Sequence, residues 1–120
     1  HSAWHLFKFR YNSAEFSGLS RTRFVQALAK EKVIASYGYT DLPTSPHVVA
    51  LASNPHYQKI YGKQAMTDWL SRIQCPVNAR LTQEAVWFPQ YTLLKPRSEM
   101  ERIAQVIAGI KKQSAQLAKA

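Results

Sequence analysis

The segment from Cys75 to Lys112 constrains the fold most, because its hydrophobic pattern changes from helical to extended and back again. Pro76 is suited to the first turn of a helix, since proline has no N–H to leave unpaired there. Residues 84–88 then become apolar and extended in character, which predicts a strand that starts near Ala85. A chain with this order of elements is a mixed α and β protein.

The last helix has the clearest signals in the sequence. Ser98 and Glu101 follow Pro96 as an S-x-x-E capping box, which predicts a helix start at this point. Apolar residues then recur at helical spacing and predict a buried stripe: Met100, Ile103, Ile107 and Ile110. We expect the helix to fray after Lys112, and the Ala-rich tail from Gln113 to be loose.

A first strand is predicted from Trp4 to Tyr11, where apolar and basic side chains alternate. The two expected faces are Phe7, Phe9 and Tyr11 on one side and Lys8 and Arg10 on the other. Because the chain opens inside a strand, we expect that a larger upstream region precedes it. A trimmed or processed terminus is the alternative.

Ser20 is the predicted N-cap of a helix that extends to about Lys32. Its apolar face is predicted to contain Phe24, Val25, Leu28 and Ala29. The next segment, Val33 to Tyr39, predicts a second strand that is interrupted at Gly38.

The middle of the chain has weaker periodicity. Two prolines in residues 41–46 predict a structured loop. Within residues 47–74, one short helix is indicated by the spacing of Met66, Trp69, Leu70 and Ile73.

Three short strands interspersed with helices, without regular βαβ repeats, predict an α+β fold. We expect a small, mostly antiparallel sheet of about three strands covered by helices. A length of 120 residues, of which 46% are hydrophobic, predicts a single domain over residues 1–120.

The net charge of +9 favours acidic or phosphorylated partners. The basic residues cluster near two helix starts: Arg21, Arg23, Lys30 and Lys32, and then Lys95, Arg97 and Arg102. Small nucleic-acid modules usually interleave exposed aromatic residues with such charges, whereas the spacing of Phe7, Phe9 and Phe24 is typical of a core. A solvated basic face is therefore favoured over nucleic-acid binding.

Signals for chemistry within the chain are few. The four glycines are too scattered for a phosphate-binding loop, and the histidines and Cys75 lack metal-ligand spacing, so no metal site is expected. Cys75 is interpreted as a small buried residue rather than a nucleophile. A single cysteine suits the reducing cytoplasm, and no apolar run is long enough to predict a membrane span.

Five blocks of the sequence resemble, in the same order, the C-terminal domain of the DegT/DnrJ/StrS family of pyridoxal-phosphate-dependent sugar aminotransferases. They are HSAWHLFKFRY, FSGLSRTRFVQALAKEKV, SYGYT, CPVNARLTQEAVWFPQYTLL and MERIAQVIAGIKK. The resemblance is weakest from about Thr44 to Gln74. Among members of the family, the likeness is greatest to those that act on amino-sugar and aminocyclitol precursors.

The resemblance implies a fold-type I aminotransferase that acts on a keto sugar or cyclitol. This chain would be its small domain, which closes over the active site. The Schiff-base lysine and most of the cofactor-binding groups would belong to a large domain that is absent here. Pyridoxal phosphate is therefore expected in the parent enzyme and not in the isolated chain, which we expect to be inactive.

The resemblance also carries over two substrate-binding residues. Tyr39 matches the tyrosine of the Gly-Tyr or His-Tyr motif that lies near the sugar in the family, and an ordinary strand-end aromatic residue is the alternative. His5 matches the histidine of the first strand, where a structural role is the alternative. Gly38 stands where many relatives have histidine, which implies a different substrate subgroup.

Two further readings of the chain stay open. It could be a stand-alone basic α+β module that binds nucleic acid or an acidic partner. It could also self-associate through the apolar surface that would otherwise face the missing large domain.

Overall fold

A computed structural model describes residues 5–119 and contains, within that range, one three-stranded sheet and eight α-helices. The strands are β1 (Leu6–Arg10), β2 (Ser36–Tyr37) and β3 (Ala85–Pro89). The helices are α1 (Arg21–Lys30), α2 (Pro46–Ser53), α3 (Pro55–Tyr61), α4 (Lys63–Arg72), α5 (Pro76–Glu84), α6 (Gln90–Leu93), α7 (Arg97–Lys112) and α8 (Ser114–Lys119). The predicted helix start at Pro76 and strand start at Ala85 are confirmed.

The described residues form two compact units. Residues 5–38 and 83–119 make the first unit, and residues 39–82 make the second. The prediction of a single domain over residues 1–120 stays a prediction.

The sheet belongs to the first unit and has the order β1-β3-β2, with both pairings antiparallel. Phe7 lies opposite Phe88 and Lys8 lies opposite Trp87, so apolar and basic residues of β1 fall on opposite faces as predicted. The predicted α+β class with a small antiparallel sheet is therefore confirmed.

Helices α1 and α7 supply most of the core that packs with the sheet. The core contains Leu28 of α1, Val86 of β3 and Ile103 and Ile110 of α7, all of which are buried. Phe24 stacks on Tyr11 with ring centroids 4.6 Å apart. Of the three phenylalanines predicted to be core residues, Phe24 is buried and Phe9 packs against the core, whereas Phe7 is 39% exposed, so that part of the prediction is wrong.

Helix α1 begins as predicted, because the Ser20 hydroxyl accepts a 3.3 Å hydrogen bond from the backbone N–H of Arg23. Its apolar face differs at one position. Ala29 is exposed and Ala27 packs against the core instead, because the buried stripe runs through Phe24 and Leu28.

The end of α1 explains why the second strand is shorter than predicted. Lys32 has a left-handed φ of 59°, the Lys32 N–H donates to the Ala29 carbonyl, and the Val33 N–H donates to the Leu28 carbonyl at 2.9 Å. These bonds form a Schellman motif, which buries Val33 beside Leu28. The burial of Val33 is thus a helix-ending contact, and only Ser36–Tyr37 pairs as β2.

Helix α7 does not use the predicted capping box. It begins at Arg97 with Pro96 as N-cap, so Ser98 lies inside the first turn and no side chain caps the helix. Glu101 accepts a hydrogen bond from Arg97 at 2.8 Å rather than reaching back to a cap. The predicted stripe is confirmed, since Ile103 and Ile110 are buried and Met100 and Ile107 pack against them.

The tail after Lys112 is helical, so the expectation that it would be loose is wrong. Ser114 is buried, and its hydroxyl donates to the Lys111 carbonyl at 2.8 Å. The guanidinium of Arg23 donates to the carbonyls of Leu117 and Ala118 at 3.1 and 2.6 Å, which fixes α8 to α1.

The second unit contains α2, α3 and α4, and α4 packs against both of the others. Ser45 caps α2 and Asn54 caps α3 through side-chain hydrogen bonds. Gly62 joins α3 to α4 with a φ of +89°, a conformation that favours glycine. Helix α4 confirms the short helix predicted in this region, although only Met66 of its predicted stripe is buried.

Along residues 5–119, no helix combines the length and the apolar character that crossing a membrane would need.

Candidate functional site

The outer face of the sheet carries Trp87 at its centre. The ammonium of Lys8 lies 5.6 Å from the Trp87 ring centroid, a cation–π distance. A Cβ atom at Gly38 would lie 3.3 Å from Cζ3 of Trp87. Any side chain at position 38 would therefore require the indole to shift by a few tenths of an ångström.

Tyr39 follows this strand end directly and is 77% exposed. It is the first residue of the second unit. The phenol therefore faces solvent to a large extent, as a residue that contacts a ligand must, and the structure leaves its substrate role a prediction.

His5 lies in the first unit, just before β1, and is exposed. Its backbone carbonyl accepts a 3.1 Å hydrogen bond from the N–H of Gln90, which extends the pairing between β1 and β3 by one bond. The backbone of His5 is thus part of the sheet. His5 and Tyr39 belong to different units, and the substrate role of His5 also stays a prediction.

Arginines of the predicted basic clusters form hydrogen bonds within the first unit. Arg21 donates to the Ala85 carbonyl at 3.0 Å, and its guanidinium lies 4.8 Å from the Tyr37 ring centroid. Arg102 forms two hydrogen bonds with the carboxylate of Glu99 and a third with the Glu31 carbonyl. These donors are occupied by protein acceptors, which favours a structural role for Arg21 and Arg102 over phosphate binding.

The Glu99–Arg102 pair also has an electrostatic consequence. Hydrogen bonding from Arg102, followed by its positive charge and that of Lys95, lowers the pKa of Glu99 to about 2 despite partial desolvation. The carboxylate is therefore ionised across the physiological range and serves as an anchor for Arg102.

Cys75 is exposed, so the interpretation of it as a small buried residue is wrong. It directly precedes α5, and its carbonyl accepts the first helical hydrogen bond, from Ala79, at 2.8 Å. This position at a helix start keeps the side chain outside the packed face.

No set of three or more metal-ligating side chains converges anywhere in the described part of the chain. All nine lysines lie in this part, and each of them is exposed.

One cavity, of about 400 Å³, lies in the second unit and was not anticipated from the sequence. Its walls include Tyr57, Tyr61, Trp69 and Arg72. The available signal was the i, i+4 spacing of the two tyrosines, which places both rings on one face of a helix.

Comparison with known proteins identifies no relative of this chain: no family model, no curated protein and no solved structure matches it.

Proposed function

We propose that this chain is the C-terminal small domain of a pyridoxal-phosphate-dependent aminotransferase that acts on a keto sugar or cyclitol. In the parent enzyme it closes over the active site, and the large domain supplies the cofactor and the Schiff-base lysine. We also propose a cytoplasmic location, in accordance with the single unpaired cysteine.

This proposal is supported by the distribution of the five family-like sequence blocks between the two units. Of the described residues, 5–11, 16–33 and 100–112 belong to the first unit, and the other two blocks extend into it as β2 and β3. The stretch of weakest resemblance, residues 44–74, lies wholly in the second unit. Most of the family pattern thus lies in the first unit, whereas its residues 39–40 and 75–82 lie in the second. In sequence, the second unit is inserted between the two segments of the first.

Within residues 5–119 no lysine and no aspartate is buried, which agrees with a large domain that supplies the Schiff-base lysine and the group that holds the pyridine nitrogen. The role we assign to this chain is therefore substrate contact. The exposed Tyr39 hydroxyl would donate to or accept from a sugar hydroxyl, and His5 would contribute at the end of β1.

Two experiments test the proposal. The gene upstream of the His1 codon is sequenced, and we expect an in-frame large domain with a Schiff-base lysine. A start codon and ribosome-binding site immediately before His1 would overturn the proposal.

In the second experiment, the chain and the full-length parent are each incubated with pyridoxal phosphate, reduced with borohydride and analysed by mass spectrometry. One modified lysine is expected in the large domain and no specific modification in this chain. Specific modification of a lysine within residues 1–120 would contradict the assignment.

The alternative is a stand-alone basic module that binds nucleic acid or an acidic partner. It is the weaker proposal, because Arg21, Arg23 and Arg102 donate to protein acceptors instead of projecting into solvent as a group. A steep decrease of RNA, DNA or heparin affinity with salt concentration would favour it over the aminotransferase proposal.

A further inference from the structure

The cavity of the second unit is a partly open cleft lined by three helices. Leu51 of α2, the two tyrosines of α3, and Ala65, Met66 and Trp69 of α4 form its walls. Its volume of about 400 Å³ falls within the range of small-molecule pockets, which are mostly apolar with a few fixed polar groups.

Aromatic rings form one side of this cavity. Tyr57 and Tyr61 stand one helical turn apart on α3, with ring centroids 6.3 Å apart and ring planes 13° from parallel. They are 41% and 62% exposed, although each ring has a large apolar surface. Two nearly parallel rings and the Trp69 indole form a wall that suits a flat aromatic ligand.

The polar group of the cavity is the guanidinium of Arg72. Among residues 5–119, no carboxylate pairs with Arg72. Asp68 lies one turn earlier on α4, but its carboxylate accepts a 2.8 Å hydrogen bond from Gln64. The second unit therefore presents an arginine beside an apolar wall without an internal counter-ion.

The second unit also has an excess of positive charge. Residues 39–82 contain four Lys and Arg residues and two Asp residues. The other aspartate, Asp41, accepts hydrogen bonds from Asn78 and Thr44. An anionic ligand would thus meet a positive field as well as the guanidinium.

We propose that this cavity binds a small planar aromatic carboxylate. The ring packs against Tyr57, Tyr61 and Trp69, and the carboxylate forms paired hydrogen bonds with Arg72. A neutral aromatic compound of the same shape gains only the ring contacts. A phosphate diester chain does not suit a site with one guanidinium and an otherwise apolar lining. The inference does not depend on the aminotransferase proposal.

The test uses the full chain and the probe 2-naphthoate, with 2-naphthamide as its neutral counterpart. Binding is followed by protein NMR chemical shifts, and the largest shifts are expected at α3 and α4. Replacing Arg72 with glutamine should weaken 2-naphthoate binding about tenfold, the usual effect of losing a charged hydrogen-bond partner, and leave 2-naphthamide unchanged.

Two further variants control for charge and for folding. Lys63→Gln also removes one positive charge from α4, but Lys63 does not line the cavity, so this variant should weaken 2-naphthoate binding much less than Arg72→Gln does. Ala65→Phe adds a ring to the cavity wall without removing any packed group, and it should abolish binding of both probes.

Three outcomes would overturn the inference. They are no binding of 2-naphthoate at millimolar concentration, equal affinity of the Arg72→Gln variant, and shifts that depend on protein concentration rather than on the probe. The last would indicate that a second copy of the chain occupies the cavity.

Discussion

The hydroxyl of Tyr11 donates a buried 2.8 Å hydrogen bond to the backbone carbonyl of Leu19. Tyr11 follows β1 directly, and Leu19 lies just before the N-cap of α1 and is fully buried. The bond therefore fixes the connection between the first strand and the first helix, and the tyrosine ring simultaneously stacks on Phe24.

Replacing Tyr11 with phenylalanine should destabilise the protein by about 1 kcal/mol, because the ring contacts remain while the Leu19 carbonyl loses its donor. The measurement is urea unfolding, with the midpoint lowered and the slope unchanged. Tyr91→Phe is the control, since Tyr91 is 55% exposed and its hydroxyl is not needed in the core. Equal stability of the two variants would contradict the role assigned to the Tyr11 hydroxyl.

Tyr11 should also give the protein a specific sensitivity to alkali. Burial raises the pKa of Tyr11 to about 12, above its ordinary value of 10.0. Because the folded state holds the proton more tightly, this contribution to stability is complete below pH 10 and is lost as the pH rises through about 12. As the pH rises from 10 to about 12, the free energy of unfolding should decrease less steeply for Tyr11→Phe than for the wild type.

Glu99 should make the stability of the protein depend on pH in the acid range. Its pKa of about 2 lies below the ordinary 4.5, chiefly because Arg102 donates hydrogen bonds to the carboxylate. Since the folded pKa is the lower one, the contribution is present above about pH 4.5 and is lost as the pH falls toward 2. Thermal unfolding of Glu99→Gln should lose part of this pH dependence, whereas Glu101→Gln, in a pair that is 58% exposed at the glutamate, should retain it.

The left-handed residue at the end of α1 offers a stabilising substitution. Lys32 has a φ of 59°, which costs a residue with a Cβ atom roughly 1 kcal/mol relative to glycine. Lys32→Gly should therefore raise the free energy of unfolding by about this amount. Lys30→Gly, inside the same helix, should lower it by about 0.5–1 kcal/mol. Destabilisation by both would show that the Schellman motif does not govern this position.

Arg23 should control the order of α8. Arg23→Gln removes the guanidinium that donates to the Leu117 and Ala118 carbonyls, so amide hydrogen exchange in residues 114–119 should become faster. Arg97→Gln is the matched control, because the Arg97 side chain is 93% exposed and pairs only within α7. Unchanged hydrogen exchange in the Arg23 variant would mean that the packing of the buried Ser114 is sufficient to order α8 without Arg23.

The sequence predicted most of the first unit because its signals were local. Ser20 acts as a cap, and the spacing of Ile103 and Ile110 has a single helical solution. The capping box at Ser98 failed because Pro96 already supplies the extended residue before the helix, which leaves Glu101 to pair with Arg97. The order of α8 was not predictable from its composition, since it depends on Arg23, far away in sequence.

The candidate site residues likewise include features that the local sequence predicts and features that depend on residues distant in sequence. Tyr39 and Gly38 could be located at a strand end from local pattern, but the close approach of Gly38 to the Trp87 ring is revealed only by strand pairing. The cavity was missed because its lining comes from three short helices whose individual periodicity is weak. Arg72 becomes notable only when Asp68 is seen to bind Gln64 instead.

The strand order β1-β3-β2 also determines when the sheet can form during protein synthesis. The central strand is the last of the three to be made, and β1 and β2 do not pair with each other. Within residues 5–119, β3 is the strand that joins β1 to β2, so this sheet must assemble after the residues of the second unit have already emerged from the ribosome. A nascent chain that stops before Ala85 contains both edge strands but lacks the strand that joins them.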